Sequence, residues 1–476
     1  MKKSVLASFL AIVLLICSCS GSGLSEDVAM TIGGEEIDVV EFEYQYNDSI
    51  ATFYEQNYDL IPYLGIDFSK DLSQQSVSET QTWRDYFIEA AVQAMKEQKT
   101  LILAGREAGF EMSEEQKKSV EDSFGTLYAE VAQYGYDLNE YLTSNYGENI
   151  TVEKFEEYIM NNAYAFYYRQ KLLLDVPVSD EALSDYYEAN KKNIENVDFL
   201  VYSYGYTVPE GVEEGDESYK TEAKTSAEAA LANINSVEEF EPYIKSTLSD
   251  DALASWVDGY TKATATYSKI FTELADWLYD AQRVEGDKTI LEYNNYFFVV
   301  MFVDRYVDEY RPVDVRHCLV KTETVKNVLI EGTEDVDVEA TQAAQEASDA
   351  EAYAEAEKLL NDWVSAGAKE EDFAIMADAN SDDGAVGGLY QDVLKGQMVT
   401  AFEDWCFDEN RKVGDYGIVK TPYGYHIMYF SAVSEDSYWV MNAKASIQQE
   451  AYAEIFEELS SNYKIVKNEN AITKIR

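Results

Sequence analysis

Residues 271–303, FTELADWLYDAQRVEGDKTILEYNNYFFVVMFV, can be laid on residues 399–430, VTAFEDWCFDENRKVGDYGIVKTPYGYHIMYF, with Asp276-Trp277 on Asp404-Trp405 and Gly286-Asp287 on Gly414-Asp415. A segment that recurs with its turn glycines and β-like alternation intact has to fold the same way twice, so this half of the chain is a tandem of one module. Upstream, NVDFLVY (196–202) lies on DVRHCLV (314–320), EEFEPYIKSTLSDD lies on EDFAIMADANSDD with one residue of slippage, and Pro312 falls at the joint.

The alignment puts Phe199 in the place of His317 and Phe298 in the place of His426, and these are the only two histidines of the 476 residues. A lone histidine on an apolar strand is more often a satisfied core residue than a catalyst. Two at paired positions of one copy, absent from the other, point to chemistry. On alternating strands His317 shares a face with Val315 and Leu319, and His426 with Met428 and Phe430. If those strands are neighbours, the imidazoles meet as a buried polar pair that has to be hydrogen-bonded.

Ahead of the tandem the pattern is helical. VAMTIGGEEIDVVEFEYQY (28–46) reads as a hairpin around Gly33-Gly34 with a helix entered at Asp38. Ser113 to Gln116 has the form of a capping box, and Pro177 stops the long helix of VEKFEEYIMNNAYAFYYRQKLLLDV. At the start, Lys2 and Lys3 precede the apolar run VLASFLAIVLLI and then CSCSGSG, the form of an export leader. About 14 apolar residues are fewer than the ~20 a spanning helix needs. Ile16-Cys17-Ser18-Cys19 resembles a bacterial lipobox, which makes Cys19 the expected lipidated N-terminus.

With Cys17 and Cys19 so assigned, Cys318 and Cys406 remain, too few for a disulfide scaffold. Both read as buried structural cysteines. A formal charge of −53 excludes a nucleic-acid role and docking on anionic lipid, since both need a basic face. Aromatics at 13%, with 38 tyrosines, exclude a disordered acidic chain.

Within the second copy, HCLV (317–320), SDDGAVGG (381–388), GQMVTAFEDW (396–405) and TPYGYHI (421–427) occur in order. Residues 313–432 thereby resemble the parvulin-type peptidylprolyl isomerases. The resemblance implies that His317, His426, Asp383 and Thr421 form the catalytic cluster. It further implies that Met398, Phe402, Tyr390, Leu319 and Tyr423 line a proline pocket. Tyr390 departs from the leucine of the family pattern, and Asp382 beside Asp383 leaves the identity of the acid open. Phosphoserine-proline recognition is not expected, because the segment after the first strand, KTETVKNVLIEGTEDVDVEA, is acidic rather than basic. The implied reaction uses neither cofactor nor metal.

The whole order is similar to that of the SurA and PrsA foldases, which implies an α+β chain. Expected are a leader and lipobox over 1–19 and a helical chaperone domain over 20–190. A degenerate parvulin-like module over 191–312 and an isomerase domain over 313–435 follow, both with antiparallel sheets. Residues 436–476 are expected to pack back on the helical domain. The implied protein sits at the cell membrane, lipid-anchored on the extracytoplasmic face, at a cell surface or in a periplasm. Its implied partners are unfolded exported proteins with X-Pro bonds, with the assembly left between monomer and homodimer. A non-catalytic holdase using both modules as platforms is the alternative.

Overall fold

The computed structural model describes residues 24–211, 215, 217–331 and 335–475. The leader and lipobox, Cys19 included, lie outside the described residues. Two units are formed, one from the chain up to Val178 together with Ser446 onward, the other from Ser179 to Ala445.

In the first unit, β1 (Val28–Ile32) and β2 (Glu35–Asp38) form the hairpin, turned by Gly33 and Gly34 at φ +60° and +92°. Asp38 caps the helix Val39–Gln56, its carboxylate accepting from the Glu41 N–H at 2.8 Å. The helices Trp83–Glu107 and Glu114–Gln133 both open with capping boxes, Thr82 with Asp85 and Ser113 with Gln116. The helix Val152–Leu174 stops short of Pro177. β11 (Ile465–Lys467) pairs antiparallel with β1, placing Met30 opposite Lys467. Ile472 and Ile475 enter the core made by Met30, Ile32, Ile37, Phe42, Phe87 and Met95. Tyr452, on the helix Tyr438–Ser461, is buried against Leu101, Ala165 and Tyr168. The C-terminal segment thus supplies a strand and core residues to the helical unit. Among the described residues no helix is long and apolar enough to cross a membrane.

The second unit begins with the helix Asp180–Ile194 and holds two four-stranded antiparallel sheets. The first consists of β3 (Glu195–Gly205), β4 (Lys262–Ala265), β5 (Lys288–Tyr293) and β6 (Tyr296–Val307), in the order β4-β3-β6-β5. β7 (Val313–Lys321), β8 (Leu389–Val393), β9 (Tyr416–Thr421) and β10 (Gly424–Val433) form the second, in the order β8-β7-β10-β9. The two orders are the same, as a repeat requires.

The repeat extends to details that alternation alone does not specify. Arg283 lies 4.5 Å over the Trp277 ring and donates to the Trp277 carbonyl at 3.0 Å. Arg411 lies 3.9 Å over Trp405 and donates to the Trp405 carbonyl at 2.9 Å. The Gly286 N–H donates to the Phe302 carbonyl at 3.0 Å, and the Gly414 N–H to the Phe430 carbonyl at 2.8 Å.

Those anchors correct one pairing drawn from the sequence. Phe199 lies opposite Phe302 as Val315 lies opposite Phe430, so Phe199 corresponds to Val315. The counterpart of His317, which faces Met428, is Val201, which faces Val300. A slip of two residues along an apolar strand keeps every side chain on its face, so sequence alternation cannot detect it. Phe298 remains the counterpart of His426, and the first copy still lacks both histidines.

Candidate active site

β7 and β10 are central neighbours, with His317 opposite Met428 and His426 opposite Leu319. The histidines therefore stand diagonally on one face. Val315, Met428, Phe430, Phe402 and Cys406 form the apolar layer on that face. Cys318, Val320 and Ile427 point to the other face, where Phe373, Trp363 and Ala356 cover them. Alternation thus removes Cys318 from the histidine cluster.

His317 and His426 are 1% and 5% exposed, and their Nδ1 atoms lie 3.2 Å apart. Thr421 Oγ1 is 2.9 Å from His426 Nε2 and accepts from the Tyr423 N–H at 3.2 Å. Asp383 Oδ1 lies 3.6 Å from His317 Nε2. One arrangement meets these contacts without setting a nitrogen lone pair against the Asp383 carboxylate. Thr421, already accepting from Tyr423, donates its hydroxyl proton to His426 Nε2. His426 then carries its proton on Nδ1 and donates to His317 Nδ1. His317 carries its own on Nε2, directed at the Asp383 carboxylate. The reverse arrangement points an unprotonated nitrogen at that carboxylate.

Burial pushes the pKa of His426 down to about 4, and the neighbouring His317 charge acts in the same direction. Burial lowers that of His317 as well, against the pull of Asp383. The pair is neutral at neutral pH.

Asp382 and Asp383 separate cleanly. The Asp382 carboxylate accepts from the Lys321 N–H at 2.9 Å and its own N–H donates to the Leu319 carbonyl at 2.8 Å, which binds the loop to the β7 edge. Asp383 accepts from the Tyr390 hydroxyl at 3.2 Å and turns toward His317. The Tyr390 ring meets His317 edge-on, with centroids 4.5 Å apart, and Phe402 lies 5.5 Å from His317 and 5.3 Å from His426. Met398 packs against the same layer as Phe402, and Leu319 is buried on the histidine face. Tyr423 differs: its side chain is 60% exposed in the turn between β9 and β10, while its backbone supports Thr421.

Several supporting residues carried no signal beyond their motif. Ser381 Oγ accepts from the Leu319 N–H at 3.0 Å, and Arg316 donates to the Gly387 carbonyl at 2.9 Å. Gly388 has φ +61°, and a Cβ there would come within 2.1 Å of the His317 carbonyl oxygen. The paired glycines of SDDGAVGG let the loop lie directly on the histidine strand.

In the first copy the matching space is filled. Val201 and Phe298 replace the histidines, and Tyr293 occupies the position of Thr421. The Tyr293 and Phe271 rings stack at 4.2 Å and 1°, with Phe298 at 5.4 Å from Phe271. Neither cysteine of the described residues is a nucleophile candidate. Both are buried and unpaired, and burial pushes the Cys318 thiol up to about 11 and that of Cys406 to about 12.

Residues 310–433 match the family model described as the PPIC-type PPIASE domain. No curated protein matches the chain. Among solved structures, PrsA from Bacillus subtilis is similar at 13% identity, over 83% of this chain and 87% of that one, with a TM-score of 0.22. The foldase protein PrsA from Streptococcus pneumoniae is similar at 16% identity, over 59% and 79%, with a TM-score of 0.20. A SurA-like chaperone of Campylobacter jejuni is similar at 14% identity, over 60% and 84%, with a TM-score of 0.18. The second copy of the repeat, which holds both histidines and the residues packed around them, is a parvulin-type domain of the PPIC-type PPIASE family.

Proposed function

We propose that the chain is an extracytoplasmic foldase, lipid-anchored through Cys19, whose domain over 313–435 catalyses cis–trans isomerisation of X-Pro bonds. The helical domain over 20–190, joined by 436–476, holds unfolded exported chains, and the module over 191–312 is a non-catalytic platform. The observation that carries the catalytic reading is the neutral histidine pair between Thr421 and Asp383, covered by Phe402 and Tyr390.

Rotation about X-Pro meets a barrier of ~18–20 kcal/mol, and lowering it by about 5–6 kcal/mol accelerates exchange roughly ten-thousandfold. No bond to the enzyme is needed. The ring packs on Met398, Phe402 and Tyr390, which excludes water from one side of the amide. Water stabilises the planar, charge-separated amide more than the twisted one, so a surface of low polarity favours the twisted form. The histidines bond to one another through Nδ1 and keep the floor of the site neutral while fixing its shape.

The test is NMR exchange in a short X-Pro peptide with the protein from residue 20 onward, beside a His317→Val, His426→Phe double variant that reproduces the first copy. Catalysed exchange lost in the variant supports the reading. Absence of acceleration by the wild type, with unfolded clients still kept from aggregating, overturns catalysis and leaves the holdase.

A further inference from the structure

The helices Glu114–Gln133 and Val152–Leu174 of the first unit bound a shallow groove that is open to solvent. Its floor is apolar. Phe124 and Tyr128 stack one turn apart, with centroids 6.3 Å apart and planes at 13°, and Met160 faces them from the other helix. The Tyr128 hydroxyl donates to Glu156 at 3.0 Å, which fixes the ring. Gly125 lies between the two rings in a helix interior, where every residue but proline forms helix better. A Cβ at Gly125 would meet nothing within 4 Å, so close packing does not explain the glycine. Its effect is to leave the groove open.

The rim is acidic. Glu121, Glu153, Glu156 and Glu157 converge on this floor. The lysines and arginine of both helices are engaged elsewhere: Lys117 with Glu114, Lys118 with Asp122, Lys154 with Asp38, Lys171 with Asp175 and Arg169 with Glu97. Among the described residues no basic side chain lies within 4.0 Å of the four groove carboxylates.

We propose that this groove binds a cationic amphipathic stretch of an unfolded polypeptide. Apolar side chains lie on Phe124, Tyr128 and Met160. Lysine or arginine stems run over the aromatic faces and their heads reach the glutamates. The inference rests on the client-holding part of the proposed function and adds which chains are held and where. A net charge of −53 steers such segments toward the protein before contact.

The experiment uses the chain from residue 20 onward and a fluorescein-labelled unstructured peptide of lysine, leucine and glycine. The peptide lacks proline, so the isomerase domain is not addressed. Fluorescence anisotropy is expected to report binding that weakens steeply as ionic strength rises from about 0.01 M to about 0.15 M, where the screening length falls from ~30 to ~8 Å. The counterpart with lysine replaced by glutamate is not bound. Glu153→Gln with Glu157→Gln weakens binding by about tenfold, the loss of two exposed pairs. Gly125→Leu, which fills the groove while improving the helix, weakens it comparably at unchanged or raised melting temperature. Prolyl exchange is unchanged in both variants. Wild-type affinity in both variants overturns the groove as the site and leaves client holding intact. If the wild type binds no cationic peptide, the groove proposal falls; if it also fails to protect unfolded clients, client holding falls with it.

Discussion

His317 and His426 face one another through Nδ1 at 3.2 Å, so only one of the two nitrogens can carry a proton and each imidazole fixes the state of the other. Thr421 bonds the His426 end of this pair, and the Asp383 carboxylate, 3.6 Å from His317 Nε2, sets its polarity by charge. The tautomers are therefore expected to be Nε2–H for His317 and Nδ1–H for His426. Nitrogen-15 imidazole spectra check this directly. In Asp383→Asn the preference weakens and a second set of shifts appears; an unchanged spectrum would remove Asp383 from the network.

Replacing either histidine removes an oriented hydrogen bond and leaves its partner buried. His317→Val or His426→Phe alone is expected to slow prolyl exchange by roughly ten- to a hundredfold, equivalent to ~1–3 kcal/mol. Because the two act as a unit, the double variant should lose little more than either single one. Additive losses in the exchange assay would mean that the histidines act separately.

The folded protein holds His426 neutral, with a pKa lowered from 6.5 to about 4. An unfolded chain takes up that proton below pH ~6.5 while the native one does not. The stability from a neutral His426 is thus fully present above pH ~6.5 and is lost as the pH falls toward about 4. The loss reaches ~3 kcal/mol for the full shift. Urea unfolding of wild type and His426→Phe at neutral and acid pH isolates it, since the carboxylate contributions are common to both. The variant should lose less stability on acidification.

Gly388→Ala places a Cβ against the His317 carbonyl at a backbone angle that suits glycine. Strain at positive φ costs ~1–3 kcal/mol, and the overlap adds a term of similar size. Chemical denaturation should register a loss of more than ~2 kcal/mol. A neutral result would mean that the loop does not rest on β7 in solution.

Cys318 and Cys406, with thiols raised to about 11 and about 12, should resist iodoacetamide in the native protein and react on unfolding. Cys318→Ala should retain prolyl exchange. Loss of activity without loss of stability would bring the thiol into the chemistry.

Much of this was legible in the sequence because it rests on local rules. The hairpin at Gly33-Gly34, the caps at Asp38 and Ser113 and the shared face of the two histidines follow from backbone freedom, orphan amides and strand alternation. The match of Val201 to His317 was not legible, because a slip of two changes neither face nor polarity. The division of labour between Asp382 and Asp383 was hidden for a related reason. Two adjacent carboxylates are alike in composition, and only the path of the loop turns one to the β7 edge and the other to His317. Tyr423 was grouped with the pocket by its motif, yet its side chain lies in solvent and its amide does the work of holding Thr421.

The stack of Tyr293 on Phe271 gives the first copy a significance of its own. Both copies keep the same strand order and the same clasp of arginine over tryptophan, and they differ where one has a polar cluster and the other has rings. The molecule thus carries a matched reference for its own chemistry. Any property common to both copies, such as binding of an extended chain along a sheet, is owed to the scaffold, and any property confined to the second is owed to a handful of side chains.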